Sequence, residues 1–419
     1  MSGRGLPTVT IPDQLEAVLA SGHPWVYRDH VPDGGRGLPH GGWVRVEAGR
    51  AAAVGLYDAE GAIALRLYRH APTGGPLAVP DRAWLRDAVE SALGLRAPLA
   101  RSGDDAYRLL FGEGDGLPGI TVDRYGRYAV LRTYAPSLAV GAGTAAADAL
   151  ETVVELLGTT ARLRGIVGGA SDDDDARGGG GGGNTVLWGD APPPQLTVRD
   201  GGRSMIVEFG AGQKTGLFLD QRENRKIVQG VAGGRRVLDL FAYTGAFSVA
   251  ALAGGAEAVT SVDVSAGALA AAERNVALLG DEAATRHGTR RADLMRDMDA
   301  LLAETMPSDA ASPTDLVVLD PPSLARSKGQ RHGAIRAFRR LNAAVMARLP
   351  EGGLLATASC TAQVSVHDFR GALAAAAQEA GVRAQVLHEA GHALDHPVPL
   401  HFPEGRYLTF MMLRVSRRG

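Results

Sequence analysis

Acidic side chains that could bind a cationic small molecule recur in the second half of this 419-residue chain. Three of the four lie in or at the end of a short strand-like run such as Val237–Leu240, the other follows Arg291 and Ala292, and helix-length segments separate them. Ligands of open α/β sheets bind beyond the carboxyl ends of the strands. The pattern therefore predicts a doubly wound sheet with a ligand site at the carboxyl ends of its strands. The acids are, in chain order, Asp239, Asp263, Asp293 and Asp320.

The turn after the first strand indicates which ligand is bound. Phe241 and Tyr243 lead to a single glycine, Gly245, and the turn holds no Lys or Arg. A dinucleotide site requires G-x-G-x-x-G so that the backbone can approach a pyrophosphate. The corner is therefore predicted to bind a cofactor without phosphates. S-adenosylmethionine (SAM) fits, because its ammonium and sulfonium groups favour acids such as Asp239.

The second acid, Asp263, has the position that commonly binds ribose hydroxyls in such sheets. The alternative is an α/β domain that carries acids at its strand ends for solubility. We expect Asp239, Asp263, Asp293 and Asp320 to contact the cofactor, together with Phe241, Tyr243 and Gly245 of the turn.

A polar segment precedes the helix that leads into the first strand. Lys214, Gln221 and Arg222 flank the apolar residues Leu217–Leu219. The segment is predicted to fold over the cofactor pocket, and these three polar residues are predicted to contribute to it.

Cys360 is the only cysteine and ends an apolar run that begins near Leu354. One thiol excludes an intramolecular disulfide and a zinc cluster of cysteines, and no metal site is predicted. Because Cys360 ends a strand, as Asp320 does, it is a candidate nucleophile. The alternative is a small buried hydrophobic residue, since free cysteines are commonly buried.

A basic run without acids follows Asp320. Arg326, Lys328 and Arg331 come first, and Arg336, Arg339 and Arg340 continue it. These residues are interpreted either as phosphate contacts beside the active site or as a solvated surface.

Hydrophobic periodicity divides the chain into three predicted domains. Residues 1–75 are predicted to form a small β-rich module, in which the aromatics Trp25 and Tyr27 either close a core or contact bases. Residues 76–204 are predicted to form a central α+β region containing an acidic and glycine-rich loop at 172–183. Residues 205–419 are predicted to form the catalytic α/β domain, and its last strand is expected at the sheet edge.

The composition bounds the function. The net charge of −2 argues neither for nor against nucleic acid, so any RNA contact must come from local patches. No apolar run is long enough to span a membrane, and the first residues lack a secretory signal. We therefore expect a cytoplasmic protein without a membrane partner.

Nearly the whole chain resembles the RlmI-type class I SAM-dependent methyltransferases of large-subunit ribosomal RNA, which methylate cytosine at carbon 5. The matching segments are Gly22–Tyr27, Gly112–Gly119, Lys214–Gly216, Leu219–Arg222, Asp239–Gly245, Asp320–Pro322, Ser359–Cys360, Asp395–Pro397 and Pro403–Gly405.

The resemblance implies a Rossmann-like methyltransferase domain, a PUA-like RNA-binding domain at the N-terminus, SAM as cofactor and ribosomal RNA as substrate. It implies that Cys360 is the nucleophile; Asp320 would then hold the edge of the cytosine. Ser323 departs from the family, where Lys is common, and the acidic loop departs from basic or mixed relatives. A homodimer is left open, as are methylation of another base atom, such as a guanine ring nitrogen, and a non-catalytic role in RNA binding.

Overall fold

The computed structural model describes residues 5–138, 143–168, 185–209, 216–307 and 313–417. Two compact units emerge from the contacts between residues. The first unit contains residues 1–196, 209–213 and 395–405, and the second contains residues 197–208, 214–394 and 406–419. The predicted loop at 172–183 and Lys214 lie outside the described residues. The division into three domains stays a prediction.

The first unit begins with a five-stranded sheet in the order β1-β3-β4-β5-β2, in which only β1 and β3 pair in parallel. Alternation along Trp43–Ala48 places Val44 and Val46 in the core, as the period-two pattern predicts. The elements are β1 (Thr8–Thr10), α1 (Glu16–Ala20), β2 (Trp25–Tyr27), β3 (Trp43–Ala48), β4 (Ala51–Tyr57) and β5 (Ile63–Ala71).

The same unit holds a second five-stranded sheet, in the order β10-β9-β8-β7-β6. Both long helices begin at capping side chains, since Asp81 accepts from the Trp84 N–H and Thr144 from the Ala147 N–H. The elements are α2 (Arg82–Arg101), β6 (Ala106–Phe111), β7 (Ile120–Tyr125), β8 (Tyr128–Thr133), α3 (Ala145–Thr160), β9 (Gly165–Gly168) and β10 (Thr185–Gly189).

Trp25 supports the core interpretation of the N-terminal aromatics. Its indole N–H donates to Glu113 at 2.7 Å, and its ring packs edge-on against Phe402 at 4.5 Å between centroids. Glu113 also accepts from the Gly119 N–H. The family segment Gly112–Gly119 thus has a structural role in fixing Trp25.

The second unit begins with a two-stranded sheet of β11 (Gln195–Asp200) and β12 (Arg203–Glu208). The first two residues of β11 belong to the first unit. A seven-stranded sheet follows. Its strands are β13 (Arg236–Leu240), β14 (Ala258–Asp263), β15 (His287–Arg291), β16 (Leu316–Leu319), β17 (Leu354–Cys360), β18 (Val382–Ala390) and β19 (Leu408–Arg417). The helices are α4 (Arg222–Val231), α5 (Ala246–Ala253), α6 (Ala266–Ala277), α7 (Asp281–Thr285), α8 (Met298–Thr305), α9 (Arg331–Arg348) and α10 (Val366–Glu379).

The seven strands lie in the order β15-β14-β13-β16-β17-β19-β18, and the first five are parallel. The order reverses between β13 and β16, which is where doubly wound sheets bind ligands. Four fully buried residues, Leu316–Leu319, form β16 at this point. The predicted Rossmann-like fold is confirmed.

One expectation about the sheet is wrong. The last strand, β19, lies between β17 and β18 and is not at the edge. The reason is burial: Leu408–Leu413 are all buried, whereas β18 is mostly exposed. An exposed polar strand tolerates an edge, and an apolar one does not. No helix among the described residues is long and apolar enough to cross a membrane.

Candidate active site

The turn between β13 and α5 has an unusual backbone. Phe241 and Tyr243 take positive φ angles of 61° and 50°, and Gly245 takes 76°. Such angles are rare for residues with a side chain and cluster at functional sites. A Cβ on Gly245 would lie 2.7 Å from the Cβ of Ala272 in α6. Gly245 is therefore required for close packing of the turn against the next helix.

Asp263, at the end of β14, holds this turn in place. One carboxylate oxygen accepts from the Tyr243 N–H at 3.0 Å, and the other accepts from the Ser265 N–H at 2.9 Å. A carboxylate can accept about four hydrogen bonds, so both oxygens keep capacity for a ligand. Asp263 is half-buried and can present that capacity to a pair of hydroxyls.

Asp239 is buried in β13, with 1% of its surface exposed. Its carboxylate accepts from the Ser248 hydroxyl of α5 at 2.7 Å. Burial raises the pKa of Asp239 to about 7, and the nearby charge of Asp263 adds to the rise. No Lys or Arg of the described residues forms an ion pair with Asp239. The site would therefore favour a cationic ligand.

Asp320 follows β16, and its Oδ2 accepts from the Gln221 side chain at 3.0 Å. Burial raises the pKa of Asp320 to about 7, with further contributions from Asp220 and Asp239. A carboxyl group that titrates near neutral pH can hold a proton or release it during a reaction.

Cys360 ends β17, the strand beside β16, and is half-buried. Its thiol lies 3.5 Å from the carbonyl oxygen of Pro321, within sulfur hydrogen-bond range. Thr361, the next residue, donates to the Ala325 carbonyl at 2.7 Å. Hydrogen bonds thus connect the end of β17 to the loop that begins with Asp320-Pro-Pro. The thiol and Asp320 both lie at the carboxyl ends of their strands.

Sequence comparisons place these features in a family. The profile of the S-adenosylmethionine-dependent methyltransferase family matches residues 187–388, and a PUA-like domain profile matches residues 9–70. A ribosomal RNA large subunit methyltransferase of Deinococcus radiodurans is 39% identical over 96% of this chain and 95% of its own. Ribosomal RNA large subunit methyltransferase I of Klebsiella pneumoniae is 32% identical over 98% of each chain.

The chain belongs to the ribosomal RNA large subunit methyltransferase I family.

A solved structure has the same fold as this chain. The crystal structure of SMU.776 complexed with SAH superposes with a TM-score of 0.79 over 98% of this chain and all of its own, at 21% identity. At that identity the likeness shows the fold alone. The cofactor is SAM, as the matching methyltransferase profile states.

The residues of this methyltransferase fit SAM chemically. Two acids without basic partners in the described chain, Asp239 and Asp320, lie at the ends of the adjacent strands β13 and β16. They would face the ammonium and sulfonium charges, and Asp263 would accept from the ribose. Asp293, half-buried after β15, already accepts from the Met295 N–H at 3.1 Å.

Two predicted pocket residues differ in their placement. Gln221 is buried and bonded to Asp320, beside the site. Arg222 is completely buried, and its Nε lies 3.1 Å from Asp200. Because Arg225 also binds Asp200, at 2.6 Å, Arg222 anchors α4 and presents no surface to a ligand here. The sequence could not show this, since the partner lies on a distant hairpin.

The basic residues after Asp320 fall into two groups, those that form ion pairs and those that do not. Arg331 donates to Asp368 at 2.7 Å and Arg339 to Glu379 at 2.9 Å, which neutralises both. Arg326, Lys328 and Arg336 are exposed and form no ion pair among the described residues. The sequence predicted Arg326, Lys328 and Arg331 as the RNA-binding residues. By exposure and lack of an ion pair among the described residues, Arg336 resembles Arg326 and Lys328, whereas Arg331 does not.

Asp220 is a polar site residue to which the sequence assigned no role. Its Oδ2 accepts from the Tyr407 hydroxyl at 2.7 Å, and its Oδ1 is buried with no hydrogen-bond partner among the described residues. Its position directly before Gln221 was the available signal.

Proposed function

We propose that this chain transfers a methyl group from SAM to carbon 5 of a cytosine in large-subunit ribosomal RNA, using Cys360 as a covalent nucleophile. The observation that carries the proposal is the placement of the only thiol and of Asp320 at the ends of the adjacent strands β17 and β16. The Cys360 thiol lies 3.5 Å from the backbone oxygen of the residue after Asp320.

The chemistry needs a nucleophile of this type. Carbon 5 of cytosine reacts poorly with a methyl sulfonium. When the Cys360 thiolate bonds to carbon 6, the ring becomes an enamine whose carbon 5 is nucleophilic. SAM, when bound, supplies the electrophilic methyl group. After carbon 5 has been methylated, a base such as water takes its proton, the electrons of that bond re-form the double bond between carbons 5 and 6, and the thiolate leaves carbon 6.

Asp320 supports the thiolate attack. Negative charge develops on the ring as sulfur adds, and a proton on ring nitrogen 3 neutralises it. A carboxyl group with a pKa of about 7 holds a proton in part of the molecules at neutral pH and can donate it. We therefore assign Asp320 as the proton donor that also orients the amino edge of the base.

The base must be unstacked before it can reach the thiol. Arg326, Lys328 and Arg336 lie on the loop and helix that follow Asp320, where they would bind the flanking phosphates. The PUA-like domain would provide further RNA contacts. The enzyme acts on ribosomal RNA and is located in the cytoplasm.

Replacement of the thiol tests the mechanism. Cys360→Ala is expected to bind SAM and RNA as the wild type does but to form no 5-methylcytosine, measured by mass spectrometry of nucleosides. RNA with 5-fluorocytosine at the target should trap a covalent adduct on the wild type alone, because fluorine at carbon 5 cannot leave as a proton does. Normal turnover by Cys360→Ala would overturn the mechanism and favour a ring-nitrogen target.

A further inference from the structure

A chain of hydrogen bonds leads from buried Asp239 across the sheet to its edge strand. Ser248 Oγ lies 2.7 Å from Asp239 Oδ2, Ser261 Oγ lies 2.6 Å from Ser248 Oγ, and His287 Nε2 lies 2.8 Å from Ser261 Oγ. Neither serine is exposed, whereas His287 is partly exposed on the edge strand β15. The chain therefore connects a buried carboxyl group to the protein surface.

The direction of the Ser248–Asp239 hydrogen bond determines the directions of the other two. A hydroxyl has one proton to donate. When Asp239 is ionised, Ser248 donates to it, so Ser248 must accept from Ser261. Ser261 has then used its own proton and must accept from the Nε2–H of His287. When Asp239 is protonated, all three bonds can reverse, and His287 Nε2 becomes the acceptor. This set of three hydrogen bonds thus has two arrangements, which differ by one proton at Asp239.

We propose that Ser248, Ser261 and His287 form a proton relay for Asp239, through which cofactor binding is coupled to release of a proton at the surface. The inference rests on the proposed contact between Asp239 and the cationic part of SAM. Ser248, Ser261 and His287 are positioning residues in this scheme, because they act on the cofactor only through Asp239.

The proton transfer is balanced. The Asp239 O–H bond breaks as its proton bonds to Ser248 Oγ. Ser248 passes its own proton to Ser261, and Ser261 passes its proton to His287 Nε2. His287 releases its Nδ1 proton to water. Each serine oxygen loses one proton and gains one, and His287 gains one at Nε2 and loses one at Nδ1, so the net change is one proton moved from Asp239 to solvent.

The surrounding charges favour this exchange. Asp239 faces Asp263 on β14 and Asp320 at the end of β16, and α5 contributes no charged group. Burial, with the charge of Asp263 adding to it, raises the pKa of Asp239 to about 7, so the carboxyl group holds a proton in part of the molecules at neutral pH, and a cation bound beside it favours the ionised form. At the other end, burial lowers the pKa of His287, which faces Glu273 on α6. A neutral imidazole there can accept a proton and pass it on.

Calorimetry of the full-length protein tests the relay. SAM is titrated between pH 5.5 and 8.5 in buffers with different ionisation enthalpies, which counts the protons released. The wild type is expected to release a large fraction of one proton at pH 6–7. Its affinity should rise about tenfold from pH 6 to pH 8, because a group with a pKa near 7 must ionise for binding. Asp239→Asn supplies the baseline for the α-amino group of SAM, which also ionises in this range.

Ser261→Ala and His287→Leu break the relay at two different links. Because the linked donors stabilise ionised Asp239, each substitution should make ionisation harder and move the pH midpoint for SAM affinity upward, with binding weakened severalfold at pH 7 and within twofold of the wild type at pH 8.5. His388→Leu, at an exposed histidine of β18, should leave the curve unchanged. A uniform loss at every pH, or no change in either variant, would refute the relay. Unchanged binding by Asp239→Asn would instead refute the assignment of Asp239 to the cofactor.

Discussion

The second unit buries acidic side chains in two contrasting ways. Asp200 is completely buried and is surrounded by guanidinium groups, with Arg222 at 3.1 Å, Arg225 at 2.6 Å and Arg203 at 3.7 Å. Asp239 is buried as deeply, but its carboxylate accepts from the hydroxyl of Ser248 and burial raises its pKa to about 7. Ion pairs hold Asp200 between two arginines, whereas Asp239 forms no ion pair among the described residues and can change its charge near neutral pH.

The contrast separates structural sites from reactive ones. A buried ion pair that loses one partner leaves an uncompensated charge, so it fixes the geometry of its elements. A buried acid whose pKa is shifted toward neutrality can exchange a proton or bind a cation, which is typical of functional sites. Asp320 belongs with Asp239 in this respect.

The largest effect is expected at Asp200. Asp200→Ala removes the carboxylate that the buried guanidinium groups of Arg222 and Arg225 share, so the free energy of unfolding should fall by about 3–5 kcal/mol. Urea unfolding measures it. As a control, Asp190→Ala removes an exposed, solvent-screened pair with Arg164 and should lower the free energy of unfolding far less. Equal effects of the two substitutions would remove the distinction between buried and exposed pairing.

Asp320→Asn should show the opposite behaviour. Loss of the proton donor is expected to lower the methylation rate about 100- to 1,000-fold, in the range of general acid catalysis. The free energy of unfolding at pH 8 should not fall, because the substitution removes a charge that is buried without an ionic partner. Initial rates and urea unfolding of the same preparation test both statements. A large loss of stability with little loss of rate would assign Asp320 to the structure.

The sequence predicted the local elements of the site well and its long-range pairing poorly. The strand at Val237–Leu240 is found almost as predicted, because an apolar run is a local signal. The acids at the strand ends likewise follow from the order of the strands. Arg222 could not be interpreted correctly, because Asp200 is not its neighbour in sequence. Arg331 likewise depends on a carboxylate in another helix, at Asp368.

The pH dependence of stability provides a third test. In the unfolded chain Asp239 ionises near pH 4, and in the folded protein it ionises near pH 7. The folded state therefore holds an extra proton between these values, and stability from this group is lost as pH rises through that window. Relative to the wild type, Asp239→Asn should gain about 2 kcal/mol between pH 5 and pH 8. Parallel stability curves for the two proteins would contradict the raised pKa.

The smallest expected effect extends the comparison to the surface, where Arg331 is paired with Asp368 and Arg336 has no such partner in the described chain. The pairing holds the pKa of Asp368 at about 2, mainly through the hydrogen bond from Arg331, so the pair stays ionised throughout the physiological range.

An arginine whose charge is already balanced gains little from a phosphate, whereas an unpaired one releases a counterion when RNA binds. Arg336→Ala should therefore weaken RNA binding severalfold and reduce the slope of log affinity against log salt by about 0.7 for a single-stranded target. Arg331→Ala should change the slope by less than half as much. Fluorescence anisotropy with the target RNA at several salt concentrations measures both, with SAM affinity as the control that neither variant should alter. If Arg331→Ala lowers the slope as much as Arg336→Ala does, then pairing does not decide which surface charges bind phosphate.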